Sequence, residues 1–219
     1  MPGESERELA GAARALATAG LVTAFGHVSA RHGEGAMLIT PPRPLGTVGP
    51  ESSFATVPLD AATLPPGVPG EAWIHLAIYR ARPDVGAVCR AQPEVATALA
   101  AAGLRLRPIH GQGAFLGREI PVFDDARLIR DRTRGEAVSA TLGDSSVLLL
   151  RGNGAVTVGG EVGIAVARMS VLEAAARMHR DAVAAGGEPQ LLSEQELTAW
   201  EGVAEEILGR IWEYQRGNL

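Results

Sequence analysis

The stretch EAWIHLAIYRARPDVGAVCRAQP, residues 71–93, constrains the fold more than any other part of the chain. Its first half is an apolar helix that must stop before Pro83, because proline disfavours helical geometry in the residue preceding it. Its second half, VGAVCR, reads as a buried strand that runs out at Pro93. A helix passed directly to a buried strand implies helices layered on a sheet. Strand side chains alternate faces, so Arg90 and Gln92 point the same way. A salt-bridged surface arginine and a helix-capping glutamine would explain this pair, and so would a binding site.

The flanking segments fit the same layered plan. Ser5 with Glu8 forms a capping box for a first helix with apolar positions at Leu9, Ala12, Ala13 and Leu16, stopped by Gly20. AMLIT (36–40) is a strand ended by Pro41 and Pro42. The Pro/Gly-rich TLPPGVPG (63–70) leads into the helix at Glu71. PEVATALAAAG is a helix with a Gly103 stop, and IPVF is a short strand. DARLIRDRTRGEAVSATLG (125–143) is helical, with Gly135 as a candidate break. SVLLLRGNGAVTVG is two strands around Asn153-Gly154, a strong hairpin signal. A long Ala-rich helix follows, and Ser193 with Glu196 caps a last helix over about 194–215.

Strands and helices mix without strict β-α-β alternation. This favours a three-layer α/β/α or α+β domain over a doubly wound parallel sheet. No repeat or linker divides the chain, so residues 1–219 are read as one domain.

The net charge of −5 argues against a nucleic-acid groove, which needs clustered cations. A single cysteine, Cys89, excludes an internal disulfide and a Cys-based zinc cluster, and suits a reducing compartment. No signal-peptide pattern or long apolar run is present, so a cytoplasmic protein without a membrane partner is expected.

Glu71, His75 and Tyr79 fall at i, i+4 and i+8, on one helix face. They read either as a helix-start carboxylate with packed neighbours, or as a general base and its companions at a cleft. His27 in FGHVSAR and His110 in PIHGQGAF sit beside glycines in loops, where side chains face solvent or a site. Asn153 reads locally as a turn residue. The groups RGNG and HGQG match neither a P-loop nor a dinucleotide fingerprint.

Taken in order, these segments resemble the class II aldolase/adducin family over roughly residues 6–185. GLVTAFGHVSAR is similar to the family's G-N-[VI]-S-x-R element, and MLITPP to its [LI]-[IV]-[ST]-P-S-G. The densest match is residues 71–92, against E-x-x-x-H-x-x-[IL]-Y-x-x-R-P-D-x-x-A-V-[VI]-H-x-H. The resemblance implies a three-layer α/β/α sandwich around a mainly antiparallel sheet. It also implies a homo-oligomer, commonly a tetramer with sites between subunits, and a lyase acting on a small molecule through a glutamate and a metal held by three histidines.

At those three metal positions this chain has Arg90, Gln92 and Asn153, none an imidazole donor for zinc. The family asparagine is replaced by His27, and the phosphate-binding serines by Pro69 and Gly70. The expected site is therefore metal-free and cofactor-free, for an anionic, unphosphorylated substrate. Glu71, Arg90 and His75 are its expected catalytic residues. Gln92, Asn153, His27, Ser29, Thr40, Arg43 and His110 are expected to bind substrate, with Arg43 taking a second carboxylate. Tyr214 is a further candidate, since some family members bring a C-terminal tyrosine across the subunit interface. Two other readings stay open: a non-catalytic binding or assembly module, and a lyase with a metal site rebuilt from Glu71 and the histidines.

Overall fold

The computed structural model describes residues 2–217. Its centre is a seven-stranded sheet in the order β3-β2-β1-β4-β7-β6-β5. The strands are β1 (His27–His32), β2 (Ala36–Ile39), β3 (Ala55–Pro58), β4 (Ala87–Ala91), β5 (Val122–Phe123), β6 (Val147–Leu150) and β7 (Ala155–Gly159). Every pairing is antiparallel except that of β5 with β6. The mainly antiparallel α/β sandwich expected from the sequence is therefore the fold observed.

The helices are α1 (Glu4–Thr18), α2 (Ala72–Ala81), α3 (Glu94–Ala101), α4 (Arg132–Leu142), α5 (Val162–Ala184), α6 (Glu194–Glu201) and α7 (Ala204–Gly217). The alternation of strand residues decides which helices cover which face. Val28, Ala30, Ala87, Cys89 and Ala91 join the core under α1, α3, α5 and α7. Val88, Val156, Leu148 and Leu150 join the core under α2 and α4. On β4 and β1, the face toward α2 therefore also receives Arg90, His27 and Ser29. Cys89 is buried on the opposite face.

Several local expectations are corrected. The first helix begins at Glu4 with Gly3 as its N-cap, and the Glu6 carboxylate accepts the Gly3 backbone N–H, in place of a Ser5–Glu8 box. Within 125–143 only Arg132–Leu142 is helical, because the Asp131 side chain accepts the Arg134 N–H and starts the helix there. Gly135 lies inside that helix and does not break it. A Cβ there would meet the Trp73 carbonyl oxygen at 2.5 Å, so glycine lets α4 lie directly on α2. The Ser193–Glu196 capping box is present, but the last helix divides at Gly202–Val203 into α6 and α7. No described helix is long and apolar enough to cross a membrane.

Candidate active site

The register of the sheet assembles the site. His27 pairs across from Arg90, and Ser29 across from Val88. The β6–β7 turn carries Asn153 to the end of β4, and α2 lies over them with Glu71 at its N-cap. Arg90 is only 2 % exposed. Its Nη2 donates to Asn153 Oδ1 at 2.8 Å and to the Asn153 carbonyl at 3.1 Å. Its Nε lies 3.0 Å from Glu71 Oε2, an ion pair in which the N–H is not aligned as a hydrogen bond. Nη1 is enclosed and has no hydrogen-bond partner among the described residues. Asn153 Nδ2 donates to Glu71 Oε1 at 3.1 Å, so one amide bridges the guanidinium and the carboxylate.

Two glycines hold that amide in place. Gly152 and Gly154 have φ of +69° and +86°, which L side chains rarely adopt. A Cβ on Gly154 would also lie 2.2 Å from the Ala91 carbonyl oxygen. Asn153 itself has a negative φ, so this is a four-residue turn and not the two-residue type that Asn-Gly suggests. Its side chain serves the site as well as the turn.

Burial alone would raise the Glu71 pKa. His27, the Arg90 charge and the Asn153 amide outweigh that effect and hold it at about 2, so the carboxylate is ionised at neutral pH. The Arg90 guanidinium is the nearer neighbour of that carboxylate at 3.0 Å; His27 Nε2 stands at 3.5 Å. The His27 pKa is lowered by burial, with Arg90 adding to the shift and Glu71 opposing it.

These groups line a cavity of about 650 Å³. Its walls are apolar at Phe25, Leu128 and Pro69, and exposed Arg43 and Arg130 stand on its rim. Gln92 lines this cavity and a smaller neighbouring one near Thr97. Of the residues expected at the site, Glu71, Arg90, Gln92, Asn153, His27 and Arg43 are brought together here.

The others are not at the cavity. His75 is fully buried behind His27 and offers the cavity no surface. Ser29 is also fully buried, with its hydroxyl between His75 and Tyr79. The Thr40 hydroxyl is enclosed and accepts the Val28 N–H, which stitches β2 to β1. His110 precedes the short 3-10 turn at residues 111–116 without a side-chain capping bond, away from the cavity. Tyr214 is 74 % exposed on α7 and does not reach the cavity within one chain. Arg130, Leu128 and Phe25 were not singled out in the sequence. The first two lie in the segment expected to be helical, and its extended path is what carries them to the rim.

The donor set does not fit a three-histidine metal site. Where the resemblance leads one to expect three histidines, Arg90 supplies a permanent cation and Gln92 and Asn153 supply amides. Among the described residues, no group of three or more His, Cys, Asp or Glu side chains is placed to hold a metal ion.

The family model described as Class II Aldolase and Adducin N-terminal domain matches residues 7–180. The 3,4-dihydroxyphthalate decarboxylase of Terrabacter sp. (strain DBF63) is 33 % identical over 211 residues, covering 89 % of this chain and 88 % of the relative. The enzyme of the same name from Arthrobacter keyseri is 32 % identical over 192 residues, covering 80 % and 77 %. Among solved structures, L-fuculose-1-phosphate aldolase from Thermus thermophilus superposes with a TM-score of 0.74 at 29 % identity, covering 84 % of this chain and 99 % of that one. The chain belongs to the class II aldolase and adducin family.

Proposed function

We propose that this class II aldolase and adducin family member is a metal-independent decarboxylase of a small hydroxylated, unphosphorylated carboxylic acid, with an aromatic dicarboxylate as the favoured class. The observation that carries this reading is Arg90, enclosed at a metal-ligand position of the family, ion-paired to Glu71 and retaining an unpartnered Nη1 donor. A fixed guanidinium supplies localised positive charge for a carboxylate or a developing oxyanion. The decarboxylase relatives support the reaction class, and the apolar cavity walls with Arg43 and Arg130 on the rim support a planar anion with a second carboxylate.

The ionised Glu71 acts first as a base. It takes the proton of a substrate hydroxyl and delivers it to the carbon bearing the carboxylate. The bond to that carboxylate then breaks and releases CO₂, its electron pair passes into the substrate to leave an enolate oxygen, and a proton from water restores the hydroxyl. Arg90 balances the oxyanion, while Gln92 and Asn153 orient the substrate. The neighbouring copy in a homo-oligomer closes the cavity mouth, where Phe25 and Leu128 are 69 % and 55 % exposed.

The test is CO₂ release from a panel of hydroxylated aromatic mono- and dicarboxylates, alongside elemental analysis and chelator treatment. Activity should survive chelation with less than stoichiometric zinc, manganese or iron. Stoichiometric metal that is required for turnover would overturn the metal-independent reading, and no CO₂ release across the panel would overturn the decarboxylase. Light scattering should show more than one copy per particle.

A further inference from the structure

Behind the cavity a line of polar side chains runs into the core. Glu71 Oε2 faces His27 Nε2 at 3.5 Å, and His27 Nδ1 meets His75 Nε2 at 2.8 Å. His75 Nδ1 meets Ser29 Oγ at 2.7 Å, and Ser29 Oγ meets the Tyr79 hydroxyl at 2.8 Å. Ser29 and His75 are fully buried, and Tyr79 is 2 % exposed. Burial of this kind leaves each contact to be satisfied by one donor and one acceptor.

The protons on this line can be counted. Glu71 is an anion already contacted by Arg90 and Asn153, so the nitrogen that faces it carries a hydrogen. Both histidines are neutral, since burial lowers the pKa of each. With its hydrogen on Nε2, His27 has a bare Nδ1, and His75 must donate to it from Nε2. His75 is then bare at Nδ1 and takes the Ser29 hydroxyl hydrogen. Ser29 in turn accepts from Tyr79. The reversed order would aim a lone pair of His27 at the Glu71 anion.

We infer that Tyr79, Ser29 and His75 form a one-way hydrogen-bond chain that fixes His27 as its Nε2–H tautomer, so that His27 meets the substrate as a donor beside the Glu71 carboxylate. The chain is not a route for protons to leave, because it ends in the core at a phenol that burial makes a weaker acid. Its three members are positioning residues, and their effect on turnover rests on the decarboxylase reading above.

The experiment is ¹⁵N NMR of histidine-labelled protein, with the His27 signals assigned by their loss in His27→Gln. The expected spectrum has His27 protonated at Nε2 and bare at Nδ1. His75→Leu should give a mixture of tautomers and lower kcat on the order of tenfold with KM little changed. His75→Gln, which returns an N–H donor to Nδ1, should recover most of the wild-type spectrum. Should His75→Leu fail to fold, Ser29→Ala and Tyr79→Phe test the same line further from the cavity. A wild-type His27 protonated at Nδ1, or a tautomer unchanged by breaking the chain, overturns the inference. The spectrum needs no substrate, so a missing decarboxylase activity would sink the proposed function and leave the tautomer result to stand or fall separately.

Discussion

Two arginines are buried among the described residues, and they are used in different ways. Arg168, on α5, is 9 % exposed and gives its hydrogens to the carbonyl oxygens of Phe115 and Val158. It has no ion pair among the described residues, and burial lowers its pKa to about 10. Arg90 donates to the Asn153 carbonyl and to the Asn153 side-chain oxygen, faces the Glu71 carboxylate, and has an enclosed Nη1 without a hydrogen-bond partner among the described residues. Backbone carbonyls cannot leave, ionise or be exchanged for a ligand. Arg168 is thus committed to holding α5, β7 and the 111–116 turn together, while Arg90, beside its one backbone carbonyl, has the side chains of Asn153 and Glu71 as partners, groups a substrate can replace. The partner's chemistry, more than the depth of burial, separates a structural arginine from one at a site.

The largest effect that would break this contrast comes from Arg90→Met. Activity should fall about a thousandfold or more, as for the loss of an oriented charge in an enclosed site. Stability should fall by about 1–3 kcal/mol, because the half-buried Glu71 loses its cationic partner. Adding Glu71→Gln should restore most of the stability in urea melts and none of the turnover. If the double variant stays active, Arg90 is structural like Arg168. Glu71→Gln alone should lower kcat by about 10²–10⁴-fold in the same CO₂ assay, as for the loss of a positioned base. Arg168→Met should cost about 1–3 kcal/mol by leaving carbonyls unsatisfied, with kcat unchanged.

A smaller effect sharpens the comparison through pH. The folded-state pKa of Glu71 is depressed from 4.5 to about 2, so its stabilising contribution is fully present above pH 4.5 and is lost as pH falls toward 2. The stability difference between wild type and Arg90→Met should therefore shrink over that window, while the Arg168→Met difference should stay constant. Smallest of all, Arg43→Ala on the exposed rim should raise KM a few-fold and leave kcat and melting temperature alone, because exposed charge pairs contribute about 1 kcal/mol or less.

Much of this was legible in the residues themselves. Proline and glycine punctuation placed β2, β4, β6, β7, α2 and α5, and strand parity put Arg90 and Gln92 on one side. The position of His75 was not legible, because residues 72–79 of α2 are all buried and no polar face marks which way the helix points. Ser29 meets His75 and Tyr79 across 46 and 50 residues of sequence, contacts that no local pattern encodes. The 125–131 segment carries charges at helical spacing, yet Ile129 is buried in the core and Asp131 caps the helix after it, so packing overrode propensity.

The glycines on either side of Asn153 have a consequence for how this fold changes its chemistry. Since Gly152 and Gly154 fix the turn by backbone conformation, and Gly154 seats it on Ala91, the loop's path does not depend on what position 153 carries. Position 153 is thus held as a socket by its neighbours, and a histidine or another polar side chain substituted there should arrive beside Arg90 and Glu71. A scaffold with such a socket can trade one chemistry for another by single substitutions, without passing through a misfolded intermediate.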